Sequence, residues 1–265
     1  MRMSGMGGRV TWGAAAATLM LALAACAPGG DAPPQATTAV AQGAAHGPAC
    51  QLAGSADVLL SLARCCAASL ASNPSCRSYG AADGFVIIKD NARDKPAAYL
   101  IIPTAMVTGI EDRQIFAPPV VDFWQYGWDA ASRYVGEPPA ATALAINSAE
   151  GRTQNQLHIH ISCVRPDVAA ALAGARLGAD PAHPASLTLA GHRYLAVQVR
   201  SLTGDASPFR VAAAMPGVGA DMRAQSIAVI GTADPDVWDV VNTTAGGGNP
   251  GSAEELLDQS CREPA

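Results

Sequence analysis

The chain has 265 residues, of which 49% are apolar, so it is long enough to bury a hydrophobic core. Its formal net charge of −5 argues against the broad basic surface that non-specific nucleic-acid binding requires, and no nucleic-acid partner is expected. A local group of arginines can still bind a phosphate, because net charge does not describe a single pocket.

Residues 1–26 have the features of an export signal. Arg2 and Arg9 supply positive charge, an apolar run follows from residue 10 to 25, and small residues lead into Cys26. This ending resembles the bacterial lipoprotein signal, in which the cysteine is acylated and becomes the new N-terminus. The alternative is an uncleaved anchor, for which ~16 apolar residues are few compared with the ~20 of a membrane span.

Both alternatives place the folded part outside the cytoplasm, on the periplasmic side, attached to a membrane. Whether that is the inner or the outer membrane stays open. Residues 27–49 are rich in Pro, Gly, Ala and Thr and are expected to form a flexible tether. The folded domain is therefore expected to span residues 50–265.

The cysteines beyond Cys26 are even in number, which favours disulfide bonds in an oxidising compartment. They are Cys50, Cys65, Cys66, Cys76, Cys163 and Cys261. We expect Cys163 to pair with Cys261, and Cys76 to pair with either Cys65 or Cys66. A structural zinc site is disfavoured because no Cys-x-x-Cys occurs.

The first half of the domain predicts two helices and a hairpin. A helix is expected from Ala56, capped by Ser55, up to the stop at Asn73-Pro74. The β-branched runs 85–88 and 99–102, separated by a polar turn, predict an antiparallel hairpin. Asp122 is expected to cap an aromatic helix over residues 123–134.

The second half is dominated by predicted strands, at residues 141–146, 157–164, 194–199, 227–230 and 237–241. Asp167 is expected to cap a helix over 168–177, and Ser252 with Glu255 matches a capping box for a short C-terminal helix. Strands outnumber helices and lack a βαβ rhythm. The pattern predicts a single α+β domain with a central antiparallel sheet flanked by helices.

Polar and apolar residues alternate strictly from residue 156 to 162. Because successive side chains of a strand point to opposite faces, Gln156, His158, His160 and Ser162 are expected to share one face. Imidazole and amide groups on such a face can surround a phosphate, with one imidazole attacking phosphorus and the others donating hydrogen bonds.

The His-x-His spacing alone is also compatible with a zinc pair, with surface histidines or with histidines satisfied in a core. Zinc is disfavoured because no third ligand follows at metal spacing, and His183 and His192 lie in a separate region. A serine hydrolase is disfavoured as well, since no Gly-x-Ser-x-Gly elbow occurs.

The surrounding residues strengthen the phosphate interpretation. The segment 151–161 resembles the histidine-triad signature, and the stretch 145–167 is similar to the CDP-diacylglycerol pyrophosphatase family. The resemblance extends to the hairpin ending at residues 100–104, to Phe123-Trp124 and to residues 191–195. It implies a histidine-triad-like fold that hydrolyses CDP-diacylglycerol, a phospholipid-nucleotide, to CMP and phosphatidate.

The resemblance also implies roles for individual residues. His158 matches the family's presumed nucleophile, and His160 matches the third histidine of the signature. Gln156 replaces the first histidine, and because an amide cannot relay a proton its implied role is supporting. Asn147 and Thr153 match positions that contact phosphate or the nucleotide sugar.

Arg152 and Lys89 are further candidates for contacts with phosphate, the alternative being that each is a solvated turn residue. No metal or cofactor is expected, because a phosphate leaves readily without one and no carboxylate cluster for magnesium occurs. Two other functions stay open. One is a soluble nucleotide hydrolase or nucleotidyl transferase using the same strand, and the other is a non-catalytic metal-binding lipoprotein.

Overall fold

The computed structural model describes residues 58–118, 120–219 and 221–261. The predictions for the signal, the tether, Cys26, Cys50 and the Ser55 cap lie outside these residues. The described part contains four α-helices: α1 Val58–Ala68, α2 Phe123–Tyr134, α3 Pro166–Ala173 and α4 Pro208–Ala213. Short 3₁₀ turns also occur, one of which, Ala253–Leu256, belongs to the C-terminal segment.

The strands form one 10-stranded antiparallel sheet, which confirms the predicted α+β class. They are β1 Cys76–Gly80, β2 Phe85–Lys89, β3 Tyr99–Pro103, β4 Thr142–Ile146, β5 Ile159–Val164, β6 Ala185–Leu189, β7 His192–Val199, β8 Gln225–Gly231, β9 Trp238–Thr244 and β10 Leu257–Asp258. Their order is β1-β2-β3-β5-β4-β8-β9-β7-β6, and the short β10 pairs with the end of β5. The predicted hairpin of β2 and β3 and the predicted pairing of β4 with β5 are both confirmed.

One face of the sheet is covered by α2 and α4. Alternate residues of the central strands, such as Ile101, Leu144 and Ile161, are buried there together with Trp124 and Phe209. Fully burying an apolar side chain of this size contributes about 1.5–3 kcal/mol, so this cluster is the main core of the domain.

The opposite face is covered by two separate apolar clusters. In the first, α1 packs on β1, β2 and β3 through Leu62 and neighbouring side chains. In the second, α3 and the C-terminal segment pack on β4, β8, β9 and β7, with Leu172 and Leu256 buried. Between them lies the centre of the sheet, where His160 pairs with Leu100 on one side and Ala145 on the other.

Two disulfide bonds fasten the layers, one on each face of the sheet. Cys163 of β5 is bonded to Cys261, as predicted, and this bond holds the C-terminal segment against the sheet. Cys76 of β1 is bonded to Cys66 of α1, which decides between the two partners that the sequence left open.

The predicted helix caps are wrong in detail. Asp122 precedes α2, as expected, but its side chain makes no capping hydrogen bond. The helix expected at 168–177 begins at Pro166 and ends at Ala173, because proline fits the first helical turn. Asp167 accepts hydrogen bonds from Arg165 instead of capping a helix.

The capping box at the C-terminal segment is also wrong. The Ser252 hydroxyl donates to the side chain of Asn147 instead of to the turn that follows it. Glu255 accepts hydrogen bonds from His192 and from the Tyr194 hydroxyl. In the part of the chain that the structure describes, no helix is both long and apolar enough to cross a bilayer.

Candidate active site

A cavity of about 610 Å³ opens on the second face of the sheet, between α1 and the C-terminal segment. We call it the histidine cleft. Six of the residues singled out from the sequence contribute to its lining: Lys89, Asn147, Arg152, Thr153, His158 and His160. The structure thus brings these side chains together, although they come from separate parts of the chain.

His158 has a defined tautomer. Its Nδ1 lies 2.7 Å from the backbone oxygen of Gln156, and because a carbonyl oxygen only accepts, Nδ1 carries the hydrogen. Burial lowers the pKa of His158 below its usual 6.5, so the ring is neutral at pH 7. The lone pair therefore resides on Nε2, the nitrogen at the far side of the ring.

Gln156 lies outside the cleft, so the expectation that it shares a face with the two histidines is wrong. Its amide nitrogen donates to the carbonyl oxygens of Pro103, at 3.0 Å, and Ala105, at 2.9 Å. Strand β5 begins only at Ile159, so the alternation of faces does not extend back to residue 156. Gln156 fixes the backbone carbonyl that orients His158.

His160 is buried beside His158, with ring centroids 5.0 Å apart. Burial and the neighbouring imidazole lower its pKa to about 3, so this ring is neutral at pH 7 too. Its Nε2 lies 3.3 Å from Oε2 of Glu254, without hydrogen-bond geometry. Neither ring nitrogen has a hydrogen-bond partner in the described part of the chain.

Glu254 is a cleft residue that the sequence did not single out. Its Oε1 accepts hydrogen bonds from Lys95, at 2.8 Å, and from Gln259, at 2.6 Å. Burial raises the pKa of Glu254, but His160, Lys95 and Gln259 outweigh burial and lower it to about 2. Because His160 is neutral at pH 7, we assign the decisive charge to Lys95.

Asn147 connects the sheet to this carboxylate. Its amide nitrogen donates to Glu254 Oε2 at 3.1 Å, and its oxygen accepts from the Glu254 backbone and the Ser252 hydroxyl. No periodicity or motif marks Glu254 or Lys95, and both lie outside the regular strands. Only the packed C-terminal segment brings the carboxylate to the histidines.

The charged side chains of Arg152 and Lys89 are already engaged by the protein, so the solvated alternative is wrong for both. Arg152 forms a two-pronged ion pair with Glu111, with distances of 2.7 and 2.5 Å, and its side chain is only 6% exposed. Lys89 donates to three backbone carbonyls at 2.9–3.2 Å. Lys95 lines the cleft as well and is paired with Glu254.

The chemistry of the cleft follows from these groups. A neutral imidazole nitrogen with a free lone pair is a nucleophile, and the second imidazole and Lys95 are donors for an anionic ligand. Within the described residues, no group of three or more His, Cys, Asp or Glu side chains is arranged to hold a metal ion. The arrangement suits attack on an electrophilic phosphorus by nitrogen.

Comparison with known proteins points to the same family that the sequence resembles. The profile of a family described as CDP-diacylglycerol pyrophosphatase matches residues 55–264, which include the whole histidine cleft. A protein of Yersinia pestis named CDP-diacylglycerol pyrophosphatase is 36% identical over 192 residues. The aligned region covers 68% of this chain and 72% of the Yersinia protein.

Proposed function

The chain belongs to the CDP-diacylglycerol pyrophosphatase family, and we propose that it hydrolyses CDP-diacylglycerol with His158 as the nucleophile. His158 is proposed as the nucleophile because of the state of its ring. It is neutral, its Nδ1 is held by the Gln156 carbonyl, and its Nε2 keeps a lone pair in a ring that lines the cleft.

The reaction has two steps. His158 Nε2 attacks the phosphorus of the CMP half, and the P–O bond to the phosphatidate half breaks, so that phosphatidate leaves. Water then attacks the phosphoramidate, the P–N bond breaks, and CMP is released with a neutral imidazole restored. Holding the ring in one orientation favours in-line attack in the first step.

The neighbouring groups act on the charge of the phosphates. One nitrogen of the neutral His160 ring carries a hydrogen and donates it to a phosphate oxygen, which gives this buried ring the partner it lacks. Lys95 offsets the negative charge, and Glu254 fixes the lysine at 2.8 Å. Preorganised donors of this kind stabilise charge that develops on oxygen in the transition state.

Release of CMP from CDP-diacylglycerol in detergent micelles tests this proposal. We expect the purified protein to release CMP, and His158→Ala to lower the rate at least about 1,000-fold, because a nucleophile has been removed. The matched control is His183→Ala, a histidine with an 83% exposed side chain outside the cleft, which should keep the original rate.

Dinucleoside polyphosphates belong in the same assay, because they report a soluble nucleotide hydrolase. Turnover of these compounds without turnover of the lipid would contradict the proposed substrate. Full turnover of the lipid by His158→Ala would contradict the proposed nucleophile.

We also propose that the protein is a periplasmic lipoprotein anchored through Cys26. The support is the sequence of residues 1–26, with its two arginines, apolar run and small residues before the cysteine. The unmodified protein should incorporate a labelled fatty acid, and Cys26→Ser should abolish the labelling, because the acylated thiol is gone. An unmodified protein that takes up no label would instead support an uncleaved apolar anchor.

A further inference from the structure

The histidine cleft has two unlike walls. On the side of α1 the lining includes four apolar residues of one cluster, Leu59, Leu62, Ile88 and Leu100, next to polar side chains from the turns before β1 and β3, among them Ser75 and Asn91. We call the four apolar residues the apolar wall. The opposite side is polar and contains Asn147, Thr153, Gln154 and Glu254. The two reactive histidines lie between these walls on the floor of the cleft.

Resting on the proposed function, we propose that the apolar wall binds the diacylglycerol half of the substrate. CDP-diacylglycerol has a polar nucleotide on one side of its pyrophosphate and an apolar glycerolipid on the other. A cleft with a reactive centre between an apolar and a polar wall matches that division. The nucleotide then lies along the polar wall, and the acyl chains leave the cleft past α1.

The polar wall has groups suited to a nucleotide. The side-chain oxygen of Gln154 is buried and has no hydrogen-bond partner in the described part of the chain. A buried acceptor of this kind costs free energy until a donor reaches it. The exocyclic amine of a nucleobase or a ribose hydroxyl supplies such a donor, whereas an acyl chain does not.

Among the described residues, three of the four large apolar side chains that are exposed belong to the segment from α1 to β1, namely Val58, Leu70 and Tyr79. Of these, Val58 belongs to α1, the helix that contributes Leu59 and Leu62 to the apolar wall.

Leu59 is the residue on which to test this proposal. It is half-buried and lines the cleft, whereas Leu62 belongs to the packed core beneath α1. We expect Leu59→Gln to lower kcat/KM for CDP-dihexanoylglycerol about tenfold, the loss expected for replacing an apolar contact of this size. Glutamine keeps the helical propensity of leucine. The matched control is Met106→Gln, expected to keep kcat/KM, because Met106 is an exposed apolar residue that does not line the cleft.

Competitive inhibition by CMP, which has no lipid half, is measured on the same three proteins. We expect the inhibition constant of CMP to stay within about twofold in Leu59→Gln. An inhibition constant that rises as much as kcat/KM falls would overturn the proposal, because the wall would then hold the nucleobase or only support the fold. An unchanged kcat/KM in Leu59→Gln would overturn it as well.

These outcomes are separate from a failure of the proposed function. If the unmodified protein releases no CMP from any CDP-diacylglycerol, the proposed reaction itself is wrong. If it releases CMP and Leu59→Gln behaves like Met106→Gln, the reaction stands and only the lipid site is wrong.

Discussion

A backbone carbonyl, held in place by a buried amide, determines which nitrogen of His158 is reactive. The Gln156 carbonyl accepts from Nδ1, and the Gln156 side chain is fixed by the carbonyls of Pro103 and Ala105. An amide in place of the first signature histidine therefore has a structural explanation. It supplies two donors to two carbonyls at once, and the proton carried by His158 stays on Nδ1.

We predict that Gln156→Ala impairs both stability and turnover. It leaves the buried carbonyl oxygen of Pro103 and the partly buried one of Ala105 without their donor, which costs about 1–3 kcal/mol in the free energy of unfolding. It also releases the carbonyl that orients His158, so kcat should fall about tenfold or more while KM changes little. Thermal unfolding and steady-state kinetics measure the two effects.

The control for this substitution is Gln125→Ala, whose amide binds Asp129 on the outside of α2. It should change neither kcat nor the melting temperature by a measurable amount. A Gln156→Ala protein with normal kcat would mean that His158 is oriented by other groups.

The sequence predicts single residues well where one strand carries them and poorly elsewhere. His158 and His160 are recognisable because a histidine alternates with apolar residues along one segment. Glu254 and Lys95 belong to the same site, but they come from the C-terminal segment and from the turn between β2 and β3. No local pattern encodes a contact between such distant positions.

At the level of elements, the C-terminal segment completes the site. It carries Glu254, pairs with β5 through β10, and is bonded to Cys163 by Cys261. The disulfide closes a loop with a sequence separation of 98. In the chain-entropy account, a cross-link over so long a loop stabilises the folded state by about 4–5 kcal/mol.

We therefore predict that replacing Cys163 and Cys261 together by Ser lowers the free energy of unfolding by several kcal/mol, up to about 4–5 kcal/mol. CMP release should fall at temperatures where the segment detaches, because Glu254 then leaves Lys95. The matched comparison is the double variant Cys66→Ser, Cys76→Ser. The Cys66–Cys76 bond has a sequence separation of only 10, so its removal should lower the free energy of unfolding by less. Denaturant unfolding of both variants measures the difference, and equal losses would contradict the account.

The elements that the sequence failed to predict have a common physical character. Strands β1 and β6 are the two edges of the sheet, and most of their residues are partly buried or exposed. An edge strand therefore has a weak apolar pattern, unlike the central strands β4 and β5, which are buried throughout. Helix α4 has only 6 residues, too few for a helical period to be recognised.

At the level of the whole molecule, the buried neutral histidines make folding sensitive to acid. The folded-state pKa of His160 is about 3, below its usual 6.5, so the unfolded chain binds more protons between these values. Stability is therefore greatest above pH 6.5 and falls as the pH drops toward 3. The pKa of Glu254 is also lowered, from its usual value of 4.5. Its contribution to stability is therefore lost as the pH falls below 4.5.

We predict that the melting temperature falls between pH 7 and pH 5, and that His160→Asn makes this fall smaller. An amide does not titrate, so the unfolded variant no longer takes up the proton that His160 would bind. His183→Asn, on the surface, should keep the fall of the unmodified protein. Calorimetry at pH 7 and pH 5 measures the melting temperatures. An equal fall in melting temperature in all three proteins would contradict the buried neutral state of His160.

The covalent state of residue 158 during turnover is the most direct test of the central claim. CDP-diacylglycerol labelled in its CMP phosphorus is mixed with the protein and quenched in alkali, in which phosphoramidates survive. We expect label on the protein, lost on mild acid treatment and mapped to the peptide that contains His158. Continuous CMP release without any label on that peptide would contradict the central claim.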